Sequence, residues 1–410
     1  MTNSITHGKN AGFAGARSLL PFLYITFVLV CFYPYEFYSA YPIFSGISDL
    51  FLHLLFLIVT ILLFVSSRNR PNLHPMVLVV VACHCFWMIL NSAYKGLPIG
   101  FSVFVMPCLA LALVYYASSS CGMVYYYRKY NRWILLMTAL GAFCFVCIRA
   151  GILHPIAPFV DLSDEDTMLN YGITFTQEGK YYCGFFDEPG AIAQWSVFAL
   201  VFNKLFVKDD RLEILLIVTT LFSFSMGYYI QLFFYLIFFY IIGKRKKMIN
   251  ILLLFVMIGG AVYFAANDSE LYEKSIGRFS AAFEDSKTQG LAVDDREINT
   301  LEAKSEFVRN PLFGTSKENP EVGNNIYEPL ALYGIVGTLF LYLPFLILLV
   351  RGIIRKDYEL LKCMIVIFIG FTHRPFHKNL LSYFIVYSLV AMCFSREYLG
   401  GMQNKTVSRL

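Results

Sequence analysis

Arginine, histidine and carboxylate side chains gather at the boundaries between apolar and polar stretches of this 410-residue chain. The members of this group are Arg149, Glu188, Arg278, Arg296, Arg309, Glu328, His373, Arg374 and His377. A guanidinium group is planar, stays charged at any working pH and can pair with two phosphate oxygens at once. At a membrane boundary, the matching ligand is the diphosphate of a lipid. A carboxylate or an imidazole beside it could accept the proton of a reacting hydroxyl group.

Glu188 stands in the stretch YYCGFFDEPGAIAQW, immediately before Pro189 and a long apolar run. Proline is favoured at the first position of a helix, and a carboxylate there is stabilised by the helix dipole. Two interpretations of Glu188 therefore stay open, a helix cap or a general base, and His373 competes with it for the second role. The dipole favours the ionised carboxylate and so weakens it as a base, whereas its place at the membrane edge favours that role.

Arg296 and Arg309 lie in the stretch DREINTLEAKSEFVRNPLFG, which predicts an amphipathic helix that ends near Pro311. On a solvated helix, both arginines would simply pair with neighbouring carboxylates. The acidic run DLSDEDT is likewise typical of a solvated loop, and most of the cysteines lie inside apolar runs. We therefore expect no metal site and no cofactor.

The elements that position these residues must be membrane-spanning helices, because the chain is 58% hydrophobic, only 15% charged and has a mean hydropathy of +0.60. Crossing the hydrocarbon core takes about 20 apolar residues. Runs near this length fall at about 18–38, 47–66, 76–94, 98–118, 133–152, 188–207, 212–226, 227–243, 248–266, 325–350, 360–373 and 380–395. The sequence predicts an all-α polytopic protein with about 12 transmembrane helices, a single membrane domain over residues 1–410.

Basic clusters predict the topology. SSRNRP, YYYRKYNR, GKRKK and RGIIRK all fall on one side when spans are counted alternately from a cytoplasmic N-terminus. The polar segments 153–187 and 267–324 then face outward as two large periplasmic loops. This count depends on a chain reversal at SFSMGYY, where little polar sequence marks a turn. Because the net charge of +5 comes with these topology signals, it does not indicate a nucleic-acid partner.

The middles of the apolar runs hold few ionisable residues, apart from His53 and His84. Transporters of charged substrates usually carry such residues near the bilayer midplane. This pattern weighs against a non-enzymatic transporter or flippase, which we keep as an alternative.

Four stretches occur in order along the chain: GFFDEPGAIAQ, SFSMGYYIQL, DREINTLEAKSEFVRNPLFG and NNIYEPLALYGIVG. Their order, spacing and outward location resemble the motif series of the bacterial O-antigen polymerase and O-antigen ligase superfamily (Wzy and WaaL types). These proteins are integral membrane glycosyltransferases, so the resemblance implies a GT-C-like fold. The similarity is strongest from about Gly184 to Gly337.

The resemblance implies a polymerase of undecaprenyl-diphosphate-linked oligosaccharide repeat units, acting on the periplasmic side of the bacterial inner membrane. In that family an arginine ahead of an NPLFG-like turn is functional, which carries over to Arg296. Asn324 and Glu328 match the next motif, but Gly323 stands where the ligase pattern has a histidine. The ligase-type arginine after Ser225 is also missing. Both departures favour a polymerase over a ligase that transfers glycan to lipid A-core, the second alternative.

We therefore expect Arg296, Glu188 and His373 to be catalytic. The expected substrate-binding residues are Arg278, Arg309, Asn324, Glu328, Arg374 and His377. The expected partners are the lipid-linked oligosaccharide, a chain-length regulator protein and membrane lipids.

Overall fold

A computed structural model describes part of the chain. The described residues are 58, 73–96, 101–120, 122–160, 167–172, 174–177, 181–186, 188–241, 295–316, 322–323, 325–375 and 380–395. The expected spans at 18–38 and 248–266 lie outside these residues, as does the span at 47–66 apart from Ile58.

Ten α-helices occupy most of the described residues. They are α1 (Pro75–Lys95), α2 (Phe101–Ser120), α3 (Met123–Arg149), α4 (Pro189–Phe202), α5 (Asp210–Leu221), α6 (Met226–Leu236), α7 (Asp295–Arg309), α8 (Glu328–Arg355), α9 (Tyr358–His373) and α10 (Leu380–Phe394). One π-helical turn extends α4 over Asn203–Val207, and another extends α6 over Ile237–Ile241. Except for α7, the helices fall within or beside the apolar runs, and α7 is the predicted amphipathic helix.

Four of these helical segments are long and apolar enough to cross a membrane: Pro75–Lys95, Met123–Arg149, Pro189–Val207 and Glu328–Arg355. Large apolar side chains such as Phe86, Phe143 and Leu339 are more than half exposed, as lipid-facing side chains are. The chain is thus a mostly helical protein with the helices of a membrane protein. The total of about 12 spans stays a prediction.

Helix α3 begins ten residues before the run that predicted it, at Met123 instead of 133, and takes in the basic cluster YYYRKYNR. The tyrosines Tyr126, Tyr127 and Tyr130 are fully buried, whereas Arg128 is exposed. Since residues three and four apart share a helix face, the cluster extends the helix with its tyrosines inward and a charge outward. The basic cluster, which lies between two predicted apolar runs, is therefore part of a helix.

The segment predicted as the first periplasmic loop contains a four-stranded antiparallel sheet. Its strands are β1 (Ala157–Val160), β2 (Thr167–Asn170), β3 (Phe175–Gln177) and β4 (Tyr181–Gly184), in the order β1-β2-β3-β4. Phe159, Met168, Phe175 and Cys183 form a small apolar core of their own. Strand β4 also packs on α3 and α4, which ties the sheet to the helices.

Helix α4 lies at the centre of the helical assembly. It packs against α3, α5, α6, α9 and β4. In the most apolar part of the segment Pro189–Val207, 83% of the residues are buried within the protein. In the three other long apolar segments this share is 39% or less. A helix buried all round has no lipid-facing side, so α4 serves as the axis on which its neighbours are arranged.

The chain reverses its direction between α5 and α6, at residues 222–225. Tyr240, at the end of the second segment, donates a 2.6 Å hydrogen bond to Glu213, near the start of the first. Glu213 also pairs with Lys204 at 3.1 Å. The reversal predicted at SFSMGYY is present in the structure.

Candidate functional site

Glu188 and Arg374 form an ion pair at one end of the central helix. The carboxylate Oε1 of Glu188 contacts Nη1 of Arg374, and the two side chains are only 26% and 9% exposed. Glu188 is the N-cap residue of α4, with an extended backbone at φ −143° and ψ 162°, but its side chain makes no capping hydrogen bond. Of the two interpretations left open, a simple side-chain cap is therefore not realised, and the carboxylate is held by an arginine.

Arg374 reaches Glu188 because of how α9 ends. The residue after Arg374 is Pro375, and a residue before proline is driven out of the helical conformation. Arg374 accordingly has φ −135° and ψ 98°, and its amide still donates to the carbonyl of Gly370 at 2.9 Å. The chain thus leaves the helix at Arg374, and the guanidinium meets Glu188 at the start of α4.

Two buried amide side chains contact the backbone of the last turn of α9 and of Arg374. Nε2 of Gln194, on α4, lies 3.5 Å from the carbonyl oxygen of Arg374. Gln231, on α6, packs against Gly370 one turn below Arg374, and a Cβ at residue 370 would lie 2.6 Å from its Nε2. Both amides are at least nine-tenths buried. We call Glu188, Gln194, Gln231 and Arg374 the polar cluster.

Gly190 gives the guanidinium its room. A Cβ at residue 190 would lie 3.3 Å from Nη1 of Arg374 and 3.7 Å from the carboxyl carbon of Glu188. The 3.3 Å distance is shorter than most contacts that a Cβ atom makes, so a larger side chain at residue 190 would displace the ion pair. The DEPG sequence thus supplies the carboxylate of Glu188, the proline at the start of α4 and the glycine that leaves room for Arg374.

A second arrangement joins the third and fourth motifs. Helix α8 is broken at Gly334, where φ is 63° and ψ −173°. The amides of Ile335 and Val336 donate instead to the carbonyls of Pro311 and Leu312, at 2.8 and 3.1 Å. These two carbonyls belong to residues 310–314, the NPLFG turn, which therefore caps the second half of α8.

The NPLFG turn fits against α8 at two glycines. A Cβ on Gly334 would collide with the backbone of Leu312 and Phe313, and a Cβ on Gly314 would collide with the backbone of Leu332. In return, Thr315 donates to the carbonyl of Ala331 at 2.7 Å, one of the groups that the break in α8 leaves without its helical partner. The turn ends α7, so this contact fixes the helix that carries Arg296.

The structure locates the remaining predicted site residues as follows. Arg296 lies in the first turn of α7, and His373 is the last residue of α9. For both residues the structure describes the backbone but not the side chain. Arg309 is 69% exposed at its side chain and pairs with Glu306 at 3.3 Å, as expected for a surface ion pair. Glu328 is the first residue of α8. Arg278, Asn324 and His377 lie outside the described residues.

Gln194 and Gln231 were not among the residues singled out from the sequence. Each is a buried amide within an apolar run, and each ends or nearly ends one of the four motifs. A buried amide needs hydrogen-bond partners, so such a residue inside a span indicates a polar contact there. Within the described residues, no group of three or more histidine, cysteine or carboxylate side chains is arranged to hold a metal ion.

Comparisons of the chain with known protein families, with curated protein sequences and with solved structures found no match.

Proposed function

We propose that the chain is a polymerase of undecaprenyl-diphosphate-linked oligosaccharide repeat units, a membrane glycosyltransferase of the O-antigen polymerase type. The observation that supports this most directly is the buried contact of Glu188 with Arg374 at the start of the central helix. It joins the first of the family-like motifs to an arginine from the turn after α9. A general base and a phosphate-binding group are the two functions that the reaction requires.

In the proposed reaction, a hydroxyl group of the acceptor repeat unit attacks the anomeric carbon of the donor glycan. The new glycosidic bond forms as the bond between that carbon and the diphosphate oxygen breaks, so undecaprenyl diphosphate leaves. The proton of the hydroxyl group passes to a base. The sugar-phosphate bond supplies the free energy, so neither a nucleotide nor a further cofactor takes part.

Glu188 is our first candidate for the base and His373 the second. Arg374 pairs with the Glu188 carboxylate. A donor diphosphate would compete for the guanidinium, because phosphate oxygens pair with it in the same forked geometry as a carboxylate. Donor binding would then loosen the ion pair and release Glu188 towards the acceptor hydroxyl.

Arg296 is our first candidate for charge stabilisation on the leaving diphosphate, followed by Arg278 and Arg309. Helix α7, which carries Arg296, is held to the start of α8 by the NPLFG turn. Asn324, Glu328 and His377 complete the proposed substrate contacts. The site would face the periplasm from the inner membrane, where a chain-length regulator protein would act as partner.

A ligase is the second candidate function, since it would use the same donor but transfer the glycan to lipid A-core. Gly323, in place of the ligase histidine, speaks against it. A flippase is the third candidate, from a non-enzymatic class.

The glycan profile of a strain that lacks the gene separates the three. Loss of a polymerase leaves a single repeat unit on the lipid core. Loss of a ligase leaves a bare core with accumulated lipid-linked polymer. Loss of a flippase leaves a bare core with lipid-linked single units held on the cytoplasmic side, and either of the last two results would overturn the proposal.

A further inference from the structure

An apolar groove lies at the end of the helices opposite to the polar cluster. It has a volume of about 480 Å³ and runs between the start of α1, the last turns of α8 and the end of α10. Phe394, at the end of α10, contacts both other helices here. The centre of its ring lies 4.9 Å from that of His74, just before α1, and 4.2 Å from the guanidinium carbon of Arg351, near the end of α8. The groove belongs to none of the four motifs, so the proposed glycan chemistry gives it no role.

One apolar stripe of α8 forms the floor of the groove. Leu343, Leu346, Ile347, Val350 and Ile354 line it, at the spacing that places side chains on one face of a helix. From Leu343 to Ile354 this stripe rises about 16 Å along the helix. That length is about half of the hydrocarbon thickness of a bilayer, or the depth of a single leaflet. The groove therefore matches the length of a lipid acyl chain in one leaflet.

Two arginines stand at the end of this stripe. Arg351 and Arg355 line the groove together with the apolar residues and lie one helical turn apart. The Arg351 guanidinium lies over the ring of Phe394, which fixes its position, and Arg355 is exposed. Both belong to the cluster RGIIRK, which the charge pattern predicts to be at the membrane surface. A pair of guanidiniums at head-group depth is suited to bind a phosphodiester.

We propose that this groove binds one anionic glycerophospholipid, with an acyl chain along the α8 stripe and its phosphate at Arg351 and Arg355. The combination of a leaflet-length apolar floor and a basic end fits a phospholipid, whereas a soluble anion would use only the arginines. A zwitterionic head group adds an ammonium beside these cations, so an anionic head group such as phosphatidylglycerol fits better. In the proposed topology this lipid belongs to the cytoplasmic leaflet.

The test measures binding of fluorescent phosphatidylglycerol to the full chain in detergent, with unlabelled competitors. Phosphatidylglycerol should displace the probe, phosphatidylethanolamine should do so at least about tenfold less well, and glycerol phosphate should not compete. Arg351→Gln with Arg355→Gln should weaken binding about tenfold or more. Lys356→Gln is the matched control, because Lys356 is exposed beside Arg355 but does not line the groove.

A second pair of variants tests the apolar floor and does not depend on the arginines. Val350→Phe would fill the groove, whereas Ile353→Phe adds the same ring at a similarly exposed position outside it. Only Val350→Phe should weaken binding of the probe. Equal competition by phosphatidylethanolamine or by glycerol phosphate, or equal losses within either matched pair, would overturn the proposal. If the double arginine variant does not fold, the comparison of Val350→Phe with Ile353→Phe alone tests the proposal.

Discussion

Glu188 and Arg374 are held largely out of water, where each charge depends on the other for compensation. Removing one partner of such a pair costs about 3 kcal/mol in the free energy of unfolding, because the other charge stays buried. Glu188→Gln should therefore lower both stability and activity. We expect the rate of polymerisation of purified lipid-linked repeat units to fall about a hundredfold or more, as on loss of a general base. Thermal unfolding and the polymerisation assay measure the two effects.

The double variant Glu188→Gln, Arg374→Gln separates chemistry from stability. With both charges gone, much of the loss in unfolding free energy should be recovered, whereas polymerisation should stay lost. Glu213→Gln is the matched control at the opposite end of α4, since Glu213 is buried and pairs with Lys204 at 3.1 Å. This variant should lose stability and still make long glycan chains per folded molecule. Long chains made by the double variant would contradict the role of Glu188 as base.

Arg296→Lys tests the fork geometry of the proposed contact between Arg296 and the donor diphosphate. Lysine keeps the charge but offers a single ammonium where arginine offers two parallel donors. If Arg296 stabilises the leaving diphosphate, the rate should fall about a hundredfold and long chains should disappear from cells. Lys304→Ala is the control, because Lys304 is an exposed cation on the same helix. A well-expressed Arg296→Lys variant that still makes full-length polymer would shift the diphosphate role to Arg278 or Arg309.

At the scale of elements, the contact of the NPLFG turn with α8 is the feature that a single methyl group should disrupt. Gly334→Ala meets two obstacles, a positive φ of 63° and the backbone of Leu312 and Phe313. Gly96→Ala meets only the first, since Gly96 has a φ of 65° with open space around its Cα. We expect Gly334→Ala to lower the unfolding free energy by about 1–3 kcal/mol more than Gly96→Ala does. Thermal or denaturant unfolding of the two variants checks this difference.

The same variant bears on function, because α7 ends in the NPLFG turn. A displaced turn should displace Arg296, so Gly334→Ala protein that is folded should make short chains, while Gly96→Ala protein makes normal ones. Equal chain lengths for the two variants would show that the contact serves stability alone.

Elements of different length were predictable to different degrees. The bounds of α1 were predicted within one residue, 76–94 against Pro75–Lys95, because a membrane fixes the length of an apolar span. The four strands are three or four residues long, too short to give a hydropathy signal, and they were missed. The polar cluster was predictable only in its parts. Gln194 and Arg374 are 180 residues apart in sequence, and no local pattern indicates that α4 and α9 pack side by side.

At the scale of the whole molecule, two ion pairs of the described residues lie at opposite ends of α4. Glu188 and Arg374 meet at one end of α4, and Lys204, Glu213 and Tyr240 meet at the other. The reversal at residues 222–225 brings Tyr240 back to Glu213, at the end of α4 that holds Lys204, as the helix-by-helix count of spans from the basic clusters requires. The side of the membrane on which each end lies is a separate prediction.

That prediction is that residues 153–187 and 267–324 both face the periplasm, because this assignment places GKRKK and RGIIRK in the cytoplasm. In a background without the native cysteines, single cysteines at Ser163 and Ser286 should react with a membrane-impermeant thiol reagent added to cells with a permeabilised outer membrane. Lys356→Cys, exposed at the end of α8, should react only after the inner membrane is opened. Labelling at Ser163 without labelling at Ser286 would mean that the number of spans between them is odd. Because the described residues show the reversal at 222–225, the error would then lie in the predicted span at 248–266, and α7 with Arg296 would face the cytoplasm, away from the proposed diphosphate.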